Sequence, residues 1–300
     1  MEVLTPRVVP LGGLRATSVR RTLPQRQRSL IGAWCFLDHY GPDDVSVQGG
    51  MSVPPHPHTG LQTVSWLFAG EIEHRDSAGH HASVRSGELN LMTAGRGISH
   101  SEYATPATTT LHGAQLWLAL PDGHRQVDPG FEHYAPQPLH GDGWSARVFL
   151  GSLLGSTSPV TTYSPLLGAE LTITTGTTLR LPVDRSFEHG VLLDSGEVRV
   201  NGKPLDAHEL GFLEAGEEVT LHAEQDSRLL LIGGPPFGER IVMWWNFVGR
   251  RHEEVAAYRA DWEALLGGGG SDRFSLPADD PELPLHAPAL PNGRMVQRGP

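Results

Sequence analysis

The residues best suited to chemistry stand in two short pairs, His56-Pro57-His58 and His100-Ser101-Glu102. On extended backbone, residues two apart point to one face, so each pair can offer both side chains to a single ion. The proline after His56 disfavours helix there and favours extension. Three imidazoles and one carboxylate, with no thiolate, suit iron, manganese, nickel or copper at a site with open positions. They fit a closed structural zinc site poorly. Fe(II) is the first choice on availability, and manganese, nickel, copper and zinc remain open. The chain holds 16 histidines, and most are expected to be solvated or locally hydrogen-bonded. His74, His80, His81, His112 and His124 also fall in the first half. Adjacent His80 and His81 would point to opposite faces of a strand, which argues against joint ligation. These five read as surface histidines, or as a partner that orients a ligand imidazole through its free ring nitrogen.

Such pairs need strands to carry them. With 36 Gly and 24 Pro separating short Val-, Leu- and Thr-rich runs, most of the chain has the punctuation of an all-β sandwich or barrel. Thr63 to Phe68, closed by Gly70, and Gln115 to Leu120, closed by Pro121-Asp122-Gly123, read as strands with a buried face. One helix is expected, from about His252 to Leu266, where Val255, Tyr258, Trp262 and Leu265 share a stripe. Gly267 to Gly270 stop it. Beyond Ser271 the chain is polar and proline-rich, an extended tail for the surface or a partner, without a catalytic motif.

The chain also repeats itself. Trp66 to Ile72 lies over Leu192 to Val198, and Gly87-Glu88-Leu89 with Ala94-Gly95 lies over His208-Glu209-Leu210 with Ala215-Gly216. The join falls within 135–145, where Pro136, Pro138, Gly141 and Gly143 crowd together. Two tandem barrels follow: 1–138 with the metal candidates, 139–250 without them, and 251–300 as helix and tail. Carried across the repeat, His56 and His58 fall on Pro182 and Asp184, and His100 and Glu102 on Leu221 and Ala223. His222 is one residue out of register, which on a strand means the other face. The second barrel therefore reads as structural. Glu188, His189 and His208 are the only grouping there that invites a site, and chance placement explains them equally well.

Composition sets outer bounds. The 300 residues allow two ordinary cores. No apolar run reaches the roughly 18 residues of a membrane-spanning helix. A formal net charge of -11 disfavours direct nucleic-acid binding, which depends on Lys and Arg neutralising phosphates. Cys35, the only cysteine, excludes an internal disulfide and reads as a small core residue. The first 25 residues do not read as a signal peptide, so a cytoplasmic address is expected.

Longer stretches identify the chain more closely. Pro55 to Val64, Met92 to Glu102, Phe36 to Pro42, His74-Arg75-Asp76-Ser77 and Gln115-Leu116-Trp117 resemble the pirins, bicupins of the cupin superfamily, strongly over 20–125 and diffusely afterwards. The resemblance implies two tandem cupin-type β-barrels, with one iron in the N-terminal barrel held by His56, His58, His100 and Glu102. It implies a quercetin 2,3-dioxygenase-type oxidoreductase, in which O2 opens the central ring of a flavonol and carbon monoxide leaves. Glu102 is then also the catalytic candidate. The implied ligands are O2 and a small planar aromatic substrate. If the strands alternate as read above, Phe36, Trp66, Phe68, Met92 and Trp117 would line or lie behind an apolar pocket, with core packing the expected role of most of them. One departure is Gln62, where many relatives carry glutamate; an amide there cannot serve as a base. The alternative from another class is a redox-sensing iron protein that modulates a protein partner, a transcriptional coregulator or a metabolic-enzyme modulator. A third reading is a structural bicupin with an adventitious metal.

Overall fold

The computed structural model describes residues 1–10 and 18–299; the centre of the N-terminal stretch considered above for a leader, 11–17, lies outside them. The chain forms two β-barrels, each a seven-stranded sheet facing a four-stranded one. In the first barrel the larger sheet is built around Trp34–Asp44, Leu61–Ala69 and Thr110–Ala119, and the smaller holds Ser52–His58, Ile98–Ala104, Glu71–Asp76 and His81–Arg85. In the second, Leu167–Ile173, Glu188–Ser195 and Ser227–Gly234 take the corresponding places. All described strand pairs within sheets are antiparallel.

The repeat is visible in the backbone. Gly70 and Gly196, aligned above, close their strands at φ 93° and 90°. Gly87 and His208 match as closely, at φ 73° and 72°, although histidine at such a φ has a β-carbon to accommodate. The two larger sheets pack face to face through one core that joins Val64, Trp66, Leu91 and Leu116 of the first barrel to Phe149, Leu192, Phe212 and Ile232 of the second. Trp66 stacks on Phe149 at 4.5 Å and donates its indole N–H to Glu170 at 2.7 Å. Alternation on the strands does this sorting: Val64 and Trp66 face the second barrel, while Thr63 and Ser65 face the first barrel's interior.

Two segments cross between the barrels. Glu2–Leu4 pairs with Leu210–Leu213 and so joins the second barrel's large sheet. After the second barrel, a hairpin of Val242–Trp244 and Phe247–Gly249 returns to the first, and the helix His252–Leu266 follows with Val255, Tyr258 and Trp262 buried. Trp262 gives its indole N–H to the Leu285 carbonyl at 2.8 Å, which anchors the tail to the helix. The tail then runs along the outer face of the first barrel's smaller sheet, where Leu285 N–H donates to Pro55 O at 2.8 Å.

Candidate metal centre

His56 and His100 stand directly opposite each other on neighbouring strands, and His58 is opposite Ile98. The ladder slips between His100 and Glu102, because Glu102 pairs with Val53. Pro54 and Pro55 occupy the extra length; neither has an N–H to give the ladder, so a bulge there is natural. One product is a hydrogen bond of 2.9 Å between His56 Nδ1 and the Pro54 carbonyl, which makes Nδ1 the protonated nitrogen and leaves Nε2 with a free lone pair.

The three imidazoles form a near-equilateral triangle, with ring centroids 4.5 to 4.9 Å apart. A nitrogen from each lies within 4.8 Å of the others. All three rings are buried. Burial pushes the His56 imidazolium down to about 4 and those of His58 and His100 well below the usual histidine range, so the rings are neutral with lone pairs to offer. His58 Nδ1 and His100 Nε2 are buried with no hydrogen-bond partner. An orphaned polar atom is costly in an interior unless something else binds it. Three neutral imidazoles with unpartnered nitrogens are a donor set that fits one divalent ion.

Glu102 stands on one side of this triangle. Its carboxylate groups with His100 and His74, within the same 4.8 Å, rather than with His56 and His58. It accepts from the Ser65 hydroxyl at 3.1 Å, which is also hydrogen-bonded to Gln115 at 2.9 Å, and burial raises its pKa. His74 is the orienting histidine that the sequence left unassigned: its Nδ1 faces His100 Nδ1 at 3.3 Å, and its Nε2 faces Asp76 at 3.3 Å. Asp76 is held in turn by the N–H groups of Ala78 and His80. His80 joins this cluster on the outside, His81 pairs with Glu73 at the surface, and His112 lies elsewhere.

A cavity of about 1230 Å³ opens in front of the triangle. Phe36 and Trp117, cross-strand neighbours stacked at 3.9 Å, line it; Trp66 and Phe68 do not, because they lie on the opposite face in the core between barrels. The Gln62 expectation is corrected likewise. Its amide reaches Thr93 at 2.9 Å and the Thr161 carbonyl at 3.4 Å, and it does not line the cavity. Residue 62 is one position out of phase with Thr63 and Ser65, so its side chain leaves the barrel and an amide there costs the site no base. Cys35 is buried, with its thiol pushed up to about 12 by burial. The sequence pattern gave no sign of the cavity's front wall: Met243, Trp244, Trp245 and Asn246 from the hairpin and Leu285 and Met295 to Gly299 from the tail line it, from segments without a motif.

The second barrel's interior is filled by Leu171, Val191, Leu193, Leu221 and Ala223, the last two in the places of His100 and Glu102. Glu188, His189 and His208 do not come together. Glu188 accepts from Gly32 N–H at 2.7 Å, and the His208 ring lies 5.2 Å from that of His39. A further cluster does lie between the barrels. Asp194 accepts from His39 at 2.7 Å, from His112 at 2.6 Å and from Arg228 at 2.7 Å. The other ring nitrogens face Arg20 and Arg228, so these lone pairs are already used and this is a clasp.

The sequence pattern of the pirin family matches residues 16–118, and that of the pirin C-terminal cupin domain matches residues 168–266. The chain belongs to the pirin family. The first pirin match encloses all four candidate ligands. A Pseudomonas aeruginosa protein provisionally named a quercetin 2,3-dioxygenase is 42% identical over 97% of this chain and 91% of its own length. A pirin-like protein of Caulobacter vibrioides is 37% identical over 82% and 88%. The crystal structure of a quercetin 2,3-dioxygenase from Acinetobacter baumannii superposes with a TM-score of 0.92 at 40% identity, over 99% of this chain and 97% of that one. No helix among the described residues is long and apolar enough to cross a membrane.

Proposed function

We propose that this pirin is an iron-dependent dioxygenase acting on a flavonol such as quercetin, with His56, His58, His100 and Glu102 as the ligands of one Fe(II). The observation that carries the reading is the triangle of buried, neutral imidazoles with unpartnered nitrogens at the floor of an aromatic-walled cavity. The activity named for the Acinetobacter baumannii and Pseudomonas aeruginosa proteins supports the reaction class. When bound, the metal would supply open positions for O2 and substrate and a path for charge between them.

The chain's own residues do the rest. Phe36 and Trp117, stacked on each other, both line the cavity and give it an aromatic wall for a planar ring system. Glu102 is the carboxylate that lines the cavity among the described residues, so it is the group placed to accept the proton of a substrate hydroxyl. The Ser65 hydroxyl donates to Glu102 and holds its orientation while that proton arrives.

Elemental analysis paired with oxygen uptake on adding quercetin tests the proposal. Close to one iron per chain is expected, with uptake lost in His56→Ala and Glu102→Ala and kept in Glu188→Ala, whose side chain serves the contact between barrels. Iron without uptake removes the enzymatic reading, and no stoichiometric metal removes the ligand set.

A further inference from the structure

The cavity's charge does not match the chain's. The protein carries a formal net charge of -11. Yet Arg7, Arg21, Arg26, Arg240 and Arg298 all line this one cavity, and among the described residues the only carboxylate that does so is Glu102. Arg21 is neutralised by buried Asp38 through two hydrogen bonds of 2.7 Å, and its guanidinium lies 4.5 Å over the Phe36 ring. The other four have no carboxylate within salt-bridge distance among the described residues. Arg7 and Arg240 are instead tethered to backbone carbonyls, at Pro24 (3.0 Å) and Gln297 (3.2 Å), bonds that fix their position without offsetting their charge. They come from opposite ends of the sequence, the N-terminal strand and the hairpin and tail, so only the tertiary structure gathers them.

We propose that the cavity takes a planar aromatic ligand bearing an anionic substituent, its rings against Phe36 and Trp117 and its charge at the rim among Arg7, Arg26, Arg240 and Arg298. This rests on the reading of the cavity as the substrate site and narrows its substrate class. A neutral flavonol uses the aromatic wall and leaves the guanidinium groups to water, whereas a carboxylate or sulfate engages them by charge and by paired N–H donors. Positive charge focused at the mouth of a low-dielectric cleft also draws an anion in against the repulsion of the chain as a whole.

The test is direct binding to the full-length protein, read by quenching of tryptophan fluorescence, with 2-naphthoate and its neutral isostere 2-naphthamide as probes. A few partly exposed ion pairs predict roughly tenfold tighter binding of the naphthoate at low ionic strength. Raising the salt to about 1 M should collapse the ratio towards one. In Arg7→Gln/Arg240→Gln/Arg298→Gln the preference should vanish, and in the matching lysine variant it should largely return. The salt series on the unaltered protein reads the same charge effect should the triple variant fail to fold. Equal affinity for the two probes, a preference indifferent to salt, or no binding of either would overturn the proposal. Because the readout is binding, it separates this proposal from the reaction itself: a protein that prefers the naphthoate yet fails to turn over quercetin keeps the anion site and loses only the dioxygenase reading.

Discussion

His100 and His74 meet nitrogen to nitrogen, Nδ1 to Nδ1 at 3.3 Å, with His74 passing the interaction on to Asp76. If His74 Nε2–H donates to Asp76, its Nδ1 accepts from His100 and the His100 Nε2 lone pair is free for a metal. That nitrogen is the buried one with no partner. Removing a residue that orients a ligand typically costs 10–100-fold in metal affinity. His74→Ala should therefore weaken metal retention by about that factor in competition with a chelator, while His124→Ala, at a histidine outside the cluster, should not.

The clasp between the barrels should make stability acid-sensitive. Burial drives the His39 imidazolium down to about 4 from an ordinary value of 6.5, the Asp194 hydrogen bond only partly opposing it. Below pH 6.5 the unfolded chain takes up a proton that the folded one refuses, so stability falls from pH 6.5 towards 4, by roughly 3 kcal/mol for this group at 1.36 kcal/mol per unit. Asp194 acts in the same direction at lower pH: burial would raise its pKa, but the bonds from His112 and His39 hold it well below the usual carboxylate range. Denaturant midpoints across pH 4–8 should show the decline, and a flat profile would refute it.

Asp194→Asn should be costly for a related reason. It keeps one oxygen for the two imidazoles but removes the negative charge and turns an amide NH2 towards the half-buried Arg228 guanidinium, a loss of about 3 kcal/mol. Thermal unfolding should register it, with metal content of the folded fraction unchanged because the clasp and the triangle are separate clusters.

Asp280 should matter to the metal from outside the barrel. It accepts from Ser101 and Tyr103, whose side chains alternate with those of His100 and Glu102 on the same strand. Asp280→Ala should cost about 1–2 kcal/mol in stability and quicken metal release. Unaltered release kinetics would show that the tail only covers the strand.

Gly60→Ala should disturb the cavity's front wall. Gly60 has φ 68°, and a β-carbon there would sit 2.3 Å from the Val248 carbonyl oxygen of the hairpin. Backbone strain and that contact together should lower stability by about 2 kcal/mol or more, read as a lower melting temperature.

What the sequence determined by itself is whatever short range decides. The two-residue periodicity placed His56 with His58 and His100 with Glu102 on common faces. Glycines at turns revealed the repeat, and a helical stripe with a glycine stop marked His252–Leu266. Partnership between distant segments was decided only by the tertiary structure. Which histidine backs His100 depends on strand order, which puts Glu71–Asp76 beside Ile98–Ala104. Gln62 turns away from the metal through a phase of one residue, invisible without knowing which face of Leu61–Ala69 is interior. The hairpin, tail and rim arginines carry no pattern at all. The tail reaches the cavity because Trp262, Pro55 and Ser101 offer it bonds, the hairpin because Val248 donates to Thr59, and such bonds form only when strands remote in sequence have already been brought together.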